Sequence, residues 1–251
     1  MPRLFVDSSQ VRGGVATVEG PDAAHLAGSL RVRPGEVIVI VESGAVEHGL
    51  RVEEVGPSRV AGRIAWTRPA TGEPHLEVHV LQALPQKGMD DAVAGLAEVG
   101  AAGIWPVLTA RTVSRPDGLA APGKVARWQR IARESAQLSG RAKAPEVHPM
   151  HTLAEACRLL PAETQLIACV ADESSQPLRC ASVDIDRPVA LVVGPEGGLD
   201  PAELEMLRAR RMTPVHLGPR VIPSRLAGSI AISLLLAQIG ELDTAVTPPP
   251  R

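Results

Sequence analysis

Between residues 76 and 239, short apolar runs alternate with segments of helical periodicity, and this alternation limits the possible fold more than any other feature. The apolar runs predict strands at 76–84, 103–108, 165–171, 189–194 and 214–218. The other segments predict helices at 90–100, 124–139, 200–210 and 226–239. A chain that alternates strand and helix builds a parallel sheet with helices on both faces. We therefore predict an α/β domain over residues 74–243.

Residues 1–70 have a different pattern, that of a small β-rich domain. Short runs rich in Val and Ile are separated by Gly, Pro and charged residues, and one helix is predicted at 21–31. Many short strands in so few residues favour a small barrel. Residues 68–74 contain two prolines and a glycine, which predicts a link between the domains. The proline-rich tail at 244–251 is predicted to be disordered.

The composition argues against two general modes of nucleic-acid binding. The formal net charge is −2, so the chain as a whole is not a general polyanion binder, and any such role needs local basic patches. Aromatic residues make up only 2% of the chain, with one Phe and no Tyr. This scarcity argues against a platform on which single-stranded bases stack.

The sequence has no pattern typical of a metal site, a disulfide framework or a membrane segment. Its three cysteines form no CxxC pair, and Cys157 and Cys169 lie in apolar patterns typical of core residues. His75, Glu77 and His79 alternate along a strand, and we interpret them as a polar face because no further ligand lies nearby in sequence. Without a signal-peptide layout or an apolar run of membrane-spanning length, a cytoplasmic location and no metal are expected.

The first candidate ligand-binding element is Gly194–Gly198, Gly-Pro-Glu-Gly-Gly, at the end of a buried strand. Its glycines permit unusual backbone angles and let a ligand approach closely, whereas a plain strand-to-helix turn needs only one glycine. Asp200 and Pro201 then start a helix. The segment is neither a dinucleotide fingerprint nor a P-loop. Because Glu196 would repel a phosphate, the loop favours a neutral or cationic ligand.

A second turn, Gly218-Pro219, follows the strand at 214–218. Ligands of open α/β sheets bind at the carboxyl ends of strands, so the two loops are predicted to line one pocket. Their backbone N–H and C=O groups can read an adenine edge without side chains. His216 precedes this turn and is interpreted as a strand residue rather than a base.

Basic residues are concentrated between positions 111 and 143, and three of them have helical spacing. A solvated helix face and a nucleic-acid-binding face are both consistent with this run. Its members are Arg111, Arg115, Lys124, Arg127, Arg130, Arg133, Arg141 and Lys143.

Together these motifs resemble those of the bacterial small-subunit ribosomal RNA uracil-N3 methyltransferases, the RsmE-type branch of the SPOUT superfamily. The resemblance runs along nearly the whole chain. It includes HLAGSLRVRPGE at 25–36, the segment at 83–113 and ARESAQLSGRAKAPEV at 132–147. Its most specific part is VVGPEGGLDPAEL at 192–204 followed by LGPRVI at 217–222.

The resemblance implies a PUA-like RNA-binding β-barrel at 1–70 and a SPOUT methyltransferase domain at 74–243 with a deep trefoil knot. It also implies a homodimer through the carboxyl-terminal domain, S-adenosylmethionine (SAM) as methyl donor, and 16S ribosomal RNA or the small ribosomal subunit as partner. The expected cofactor-binding residues are Val193, Gly194, Pro195, Glu196, Gly197, Gly198, Leu217, Gly218, Pro219, Val221, Ile222, Ser224 and Ala227. The expected RNA-binding residues are Arg31, Arg33, Lys87, Arg111, Arg133 and Arg141.

Methyl transfer to uracil N3 is consistent with motifs that carry positive charge but no nucleophile. SAM is a sulfonium cation, which is compatible with Glu196, and direct displacement needs alignment more than a covalent catalyst. Loss of the N3 proton spreads negative charge onto O2 and O4, which a guanidinium would stabilise. We predict Arg220 for this role and Arg225 as a second catalytic residue. Because N3 lies on the pairing edge, the base must be unpaired or flipped out.

One segment departs from the family pattern. After Leu-Gly-Pro-Arg and two apolar residues the family has Arg-Thr-Glu-Thr-Ala or Arg-Thr-Ser-Thr-Ala, whereas residues 223–227 are Pro-Ser-Arg-Leu-Ala. Ser224 is still expected to cap the following helix, and Gly95 stands where a lysine is common. The sequence thus predicts a SAM-dependent methyltransferase for N3 of a uridine in 16S ribosomal RNA. Two alternatives stay open: an RNA-binding or ribosome-assembly dimer with altered catalysis, and a methyltransferase for another RNA position.

Overall fold

The computed structural model describes residues 2–113, 122–170, 172, 174–243, 245, 248 and 250. These residues form two compact units. The first contains the residues up to Glu73 together with Ala136–Lys143, and the second contains those of Pro74–Ser135 and Ala144–Ala245. Arg115 and most of the predicted tail at 244–251 lie outside the described residues. The first unit therefore includes a short segment that the sequence placed in the second domain.

The first unit is built on a six-stranded sheet in the order β1-β4-β5-β6-β3-β2. Only the β1–β4 pair is parallel, and the other four pairs are antiparallel. The elements are β1 (Arg3–Val6), β2 (Val11–Arg12), β3 (Val15–Glu19), α1 (Gly20–Ala24), β4 (Val37–Glu42), β5 (Val46–Val55) and β6 (Arg59–Pro69). The predicted helix at 21–31 is thus shorter, and residues 25–29 form a wider helical turn after it. In the described chain β1 and β2 are the sheet edges, and the closed barrel stays a prediction.

The two faces of this sheet bury different side chains because strand residues alternate. One face and α1 form an aliphatic core around Leu26, Ile38 and Leu50. On the other face, Val39 and Val41 pack against Ala142 of the added segment. This packing covers part of the second face.

A fully buried carboxylate, Glu47 of β5, pairs with Val41 in this covered part of the sheet. Arg3 donates to its Oε1 over 2.8 Å, Arg68 donates to its Oε2 over 2.8 Å, and the Thr71 amide donates over 3.3 Å. Burial raises the pKa of Glu47, but the two guanidinium groups outweigh burial and hold the pKa below its ordinary value of 4.5. Glu47 therefore joins three separate parts of the first unit.

Glu47→Gln is expected to lower the free energy of unfolding of the first unit by about 3 kcal/mol at neutral pH, because two arginines lose their counter-charge. A depressed carboxyl pKa stabilises the fold above the unfolded value of 4.5, and this stability is lost as the pH falls through the folded pKa. The difference between variant and wild type should therefore shrink in acid. Urea unfolding of the variant and the wild type, from neutral pH to below 4.5, measures this difference in the free energy of unfolding.

Glu54→Gln is the matched control, since Glu54 forms an exposed ion pair with Arg59. Exposed pairs contribute about 0–1 kcal/mol. Equal losses for the two variants would contradict the role assigned to Glu47.

The second unit contains an eight-stranded sheet in which every pair is parallel, which confirms the predicted α/β architecture with a parallel sheet. Its order is β10-β8-β7-β13-β11-β14-β12, and β9 pairs with β8. The strands are β7 (Val78–Ala83), β8 (Gly103–Leu108), β9 (Glu146–Val147), β10 (His151–Thr152), β11 (Gln165–Cys169), β12 (Gln176–Pro177), β13 (Val189–Val193) and β14 (Thr213–His216). The helices are α2 (Met89–Val99), α3 (Pro122–Leu138), α4 (Leu153–Leu159), α5 (Pro201–Ala209) and α6 (Ser224–Gln238).

Helices cover both faces of this sheet, as predicted. Side chains of α2, α3 and α6 pack on one face, and those of α4 and α5 pack on the other. Helix α4 was not predicted, although Thr152 and Glu155 form a capping box at its start, a recognisable helix signal. None of the helices among the described residues is long and apolar enough to span a membrane.

Helices α2 and α6 approach each other closely because they meet at glycines. A Cβ on Gly95 would lie 2.8 Å from Ser229 Oγ, and a Cβ on Gly228 would lie 2.8 Å from Leu96 Cδ2. Gly95, where the family commonly has lysine, therefore lies at a helix contact with no room for a side chain unless Ser229 moves. This contact places the start of α6 beside β7.

Candidate active site

Three loops leave the carboxyl ends of strands at one edge of the parallel sheet. Residues 84–88 follow β7, residues 194–200 follow β13 and residues 217–223 follow β14. Strand β13 pairs with β7, and β11 lies between β13 and β14. The two glycine loops singled out in the sequence therefore lie on the sheet edge where α/β proteins bind their ligands.

Two consecutive hydrogen bonds tie the second glycine loop to the first. The Ser224 hydroxyl donates to the Gly194 carbonyl oxygen over 2.7 Å. The Gln82 side-chain amide donates to Ser224 Oγ over 3.1 Å and to the Ala83 carbonyl oxygen over 3.0 Å. Gln82 and Ser224 are both buried, so water does not compete for these bonds. Gln82 of β7 thus holds the start of α6 beside the start of the first loop.

Ser224 does not cap α6, so this prediction was wrong. Pro223 occupies the capping position, and Ser224 is the first helical residue, without a side-chain capping bond. Its hydroxyl is used by Gly194, which lies 30 positions earlier in the chain. A capping motif is recognised from local sequence alone and cannot show such a distant acceptor.

The first glycine loop is held in shape from both sides. A turn is closed by the Gly198 amide donating to the Pro195 carbonyl oxygen over 2.9 Å, with Gly198 at φ +71°. The Glu196 carboxylate accepts from the Gln86 amide over 3.1 Å, and Arg111 donates to the Gly197 carbonyl oxygen over 2.9 Å. Glu196 thereby links this loop to the one after β7.

The second glycine loop is exposed at its tip. His216, the last residue of β14, accepts a bond from the Gly218 amide over 3.2 Å through Nδ1, so this histidine braces the turn. Gly218 has φ +103°, a conformation that favours glycine. Arg220 is exposed and makes no side-chain hydrogen bond or ion pair within the described part of the chain. Val221 is 99% exposed.

Both loops leave space for a ligand beside their glycines. A Cβ built on Gly198 or on Gly218 would meet no atom within 4 Å. On Gly197 it would lie 3.5 Å from Arg111 Cβ, an ordinary contact. The requirement for glycine is therefore conformational at Gly198 and Gly218, and the open backbone there can contact a ligand directly.

Arg225 lies against the loop that follows β7. A Cβ on Gly88 would come within 2.7 Å of Arg225 Cδ, and Gly88 has φ +84°. Lys87 in the same loop is exposed. Arg225 therefore brings the start of α6 and the Lys87 loop together at the sheet edge that carries the two glycine loops.

The remaining residues expected at the cofactor site divide by exposure. Val193, Pro195 and Ala227 are buried under the loops, whereas Leu217 and Ile222 are half-buried and pack on the core. Pro219 is exposed beside Gly218. The buried members can shape the pocket, and the others can contact a ligand.

Thiol and metal chemistry have no support among the described residues around these loops. Burial raises the pKa of Cys169 to about 12 and also raises that of Cys157, so neither thiol ionises readily. Among the residues that the structure describes, no cluster of His, Cys, Asp and Glu could hold a metal ion. His75 binds Glu241, and His79 binds Glu77 and accepts from the Trp105 ring, which accounts for the alternating polar face.

Known proteins are similar to this chain in both sequence and fold. The family model described as an RNA methyltransferase domain matches residues 72–236. Ribosomal RNA small subunit methyltransferase E of Mycobacterium bovis is 30% identical over 252 residues, which cover 97% of this chain and 94% of that protein. The chain belongs to the ribosomal RNA small subunit methyltransferase E family.

Solved structures of this family's fold include two with a bound cofactor. Ribosomal RNA small subunit methyltransferase E from Neisseria gonorrhoeae, bound to S-adenosyl methionine, matches with a TM-score of 0.82 and 26% identity over 94% of this chain and 97% of that one. A methyltransferase from Legionella pneumophila, in complex with SAM, matches with a TM-score of 0.83 and 26% identity over 94% and 96% of the two chains.

The arginines expected to contact RNA in this methyltransferase E family member occupy different environments. Arg31 and Arg33 are exposed in the first unit, whereas Arg133 is half-buried. Arg111 binds Gly197 and lies 4.0 Å from Asp200, so it supports the first glycine loop. Arg141 is only 2% exposed and forms a two-bond pair with Glu73, at 3.2 and 2.7 Å. The structure therefore gives Arg141 a structural role, and its RNA contact stays a prediction.

Gln82 is a residue beside the candidate site of this methyltransferase E family member that sequence reasoning missed. It is fully buried in β7, between Leu81 and Ala83, which are equally buried. A polar residue inside an apolar strand is a signal, since a buried amide must find hydrogen-bond partners. Its partner Ser224 lies 142 positions away and could not be identified from the sequence.

Proposed function

We propose that this chain is a SAM-dependent methyltransferase that modifies N3 of a uridine in 16S ribosomal RNA of the small subunit. The observation that carries the proposal is the hydrogen bond from Ser224 to Gly194, which joins two glycine loops at one sheet edge. Solved relatives of the same fold bind SAM. The name shared by the curated relatives supplies the ribosomal small subunit as substrate.

The residues present fit SAM as the cofactor. Gly198 and Gly218 have open space beside their backbones, so the ligand's adenosine part can lie against their N–H and C=O groups. Glu196 supplies negative charge near the loop, which suits a cation and disfavours a phosphate. When bound, SAM supplies a methyl group on a positively charged sulfur.

The chain's own groups would then align and activate the base. Uracil N3 would lose its proton to solvent, and the resulting negative charge would spread onto O2 and O4. As the new N–CH3 bond forms, the bond between the methyl group and the sulfur would break. Arg220 is exposed and has no competing side-chain partner among the described residues, so its guanidinium is free to stabilise that charge. Arg225, packed over Gly88, is the second candidate.

The fold proposed for this function includes a PUA-like barrel at 1–70 and a trefoil knot in the carboxyl-terminal domain. The six-stranded sheet of the first unit supports the barrel. The knot is supported by the path of the last elements, because β14 lies two strands from β13 while α6, which follows it, contacts β13 and β7.

We also propose a homodimer formed through α6. Leu226, Ile230 and Leu234 recur every fourth residue along this helix, and Leu226 and Leu234 are 40% and 39% exposed. An apolar stripe at this spacing suits a second helix, and a second copy of the chain presents an identical one.

Leu234→Asp is expected to convert the dimer into a monomer, because a buried charge in an apolar contact is costly. Sedimentation velocity measures the change. Leu159→Asp is the control, since Leu159 is 58% exposed on α4, away from the stripe. A wild type that sediments as a monomer, or equal behaviour of the two variants, would contradict the proposed interface.

The function is tested by incubating the protein and SAM with small subunits that lack the modification. Mass spectrometry of the digested RNA should find one new N3-methyluridine. A different methylated nucleoside would move the enzyme to another RNA position. SAM binding without methylation of any ribosomal substrate would favour the catalytically altered dimer.

A further inference from the structure

Strand register aligns three arginines that lie far apart in the sequence. Arg12 of β2 pairs with Val15 of β3, Val15 pairs with Arg63 of β6, and Arg63 pairs with Arg51 of β5. Residues directly opposite one another project from the same face of a sheet. The three arginines therefore form one line across four strands, called here the arginine row.

The arginine row lies on the second face of the sheet, because Arg51 pairs with Val37, two residues from Val39 on the same strand. Arg12, Arg51 and Arg63 are exposed. Their neighbours in sequence, such as Val52 and Gly62, project from the opposite face and are buried. Adjacent strands lie about 4.8 Å apart, so the line from Arg12 to Arg51 spans about 15 Å. Gly62 permits the close pairing, since a Cβ there would lie 2.0 Å from the Arg51 carbonyl oxygen.

The turn with Arg31 and Arg33 extends the arginine row. The Gly35 amide donates to the Val52 carbonyl oxygen over 2.8 Å, and Arg51 approaches the Gly35 carbonyl oxygen at 3.5 Å. Val32 is buried between Arg31 and Arg33, which fixes the turn and leaves both arginines exposed. Two of the five arginines follow from the sequence motif, and the other three follow from strand register.

Nearby acids neutralise only part of this charge. Arg63 is paired with Glu53 at 3.2 Å, but both side chains are more than half exposed, so the pair is weak and exchangeable. Arg12, Arg31 and Arg33 make no side-chain hydrogen bond or ion pair to any residue that the structure describes. Apart from Arg63, the five arginines therefore have no carboxylate partner in the part of the chain that the structure describes.

We propose that the arginine row, with Arg31 and Arg33, is a phosphate-binding surface that grips the backbone of a folded RNA. This inference rests on the proposed function for its choice of RNA as the polyanion. A guanidinium forms two parallel hydrogen bonds to a phosphate. The row has no aromatic side chain for base stacking, so it positions the RNA without reading its sequence.

The test is the salt dependence of RNA binding by the full chain. Fluorescence anisotropy with a short fluorescein-labelled RNA duplex measures the Kd at a series of salt concentrations from about 50 to about 200 mM. R51Q and R63Q should each weaken binding and lower the slope of log Kd against log salt by about one, and the double variant by about two. Unchanged slopes in R51Q, R63Q and the double variant would overturn the proposal.

R158Q is the matched control, because Arg158 is an exposed arginine on α4 in the second unit and lies outside the row. It should change the slope by much less than one, and a change equal to that of R63Q would overturn the assignment to the row. Polyglutamate is a polyanion without phosphate groups. If the row variants weaken polyglutamate binding as much as they weaken RNA binding, the proposal of a phosphate-binding surface is also overturned. Methylation by the wild type is measured in a separate assay. If methylation fails while the row variants still lower the salt slope of RNA binding, the result rejects the proposed function and leaves the RNA-binding surface supported.

Discussion

Arg220→Ala is expected to lower the rate of methyl transfer by about 100- to 1,000-fold, while SAM affinity stays within about twofold. Arg220 is exposed on the second glycine loop and is bound to no other side chain in the described chain, so its removal should leave the fold intact. What is lost is charge stabilisation at uracil O2 and O4, which matters only in the transition state. Single-turnover rates at saturating SAM, with calorimetry for SAM affinity, measure the two quantities.

Arg225→Ala is the companion variant that decides between the two predicted catalytic arginines. Arg225 packs over Gly88, so its truncation removes contact with the loop after β7 as well as charge. If Arg225→Ala abolishes turnover while Arg220→Ala does not, then Arg225, and not Arg220, stabilises the charge at uracil O2 and O4. Full activity in both variants would remove guanidinium stabilisation from the mechanism.

Gln82→Met is expected to weaken SAM binding by about tenfold, equivalent to about 1.4 kcal/mol. Methionine keeps the approximate volume but cannot donate to Ser224 Oγ, so the hydroxyl loses the bond that orients it toward Gly194. The distance between the two glycine loops should then vary. A ligand that contacts both loops must order them on binding, which lowers its affinity. Calorimetry with SAM measures the loss.

Gln129→Met separates a positioning role from general stability. Gln129 also makes two hydrogen bonds through its side-chain amide, to Pro145 and Val147, at a position in the second unit remote in sequence from the loops. Both variants should lower Tm, but only Gln82→Met should weaken SAM binding. If the two variants share the same fall in Tm and the same SAM affinity, Gln82 contributes stability alone. Ser224→Ala should add little to Gln82→Met, since both remove the same chain of bonds.

The strands and helices of the second unit were largely predictable because their signals are local. Apolar periodicity placed α2 at 90–100 against the observed Met89–Val99, and Asp200 with Pro201 marked the start of α5. The two glycine loops were found for the same reason, since positive φ at Gly198 and Gly218 is a property of single residues. Ser224 was misread because its hydroxyl binds a distant acceptor.

By itself, the sequence determined the α/β architecture, the two glycine loops and the supply of arginines near them. Tertiary structure alone decided what several polar side chains do: Arg141 pairs with Glu73, Gln82 orients Ser224, and Arg12, Arg51 and Arg63 line up across the sheet. The physical reason is that periodicity and capping depend on neighbours along the chain. Hydrogen-bond partners and cross-strand register depend on how segments far apart in sequence pack together.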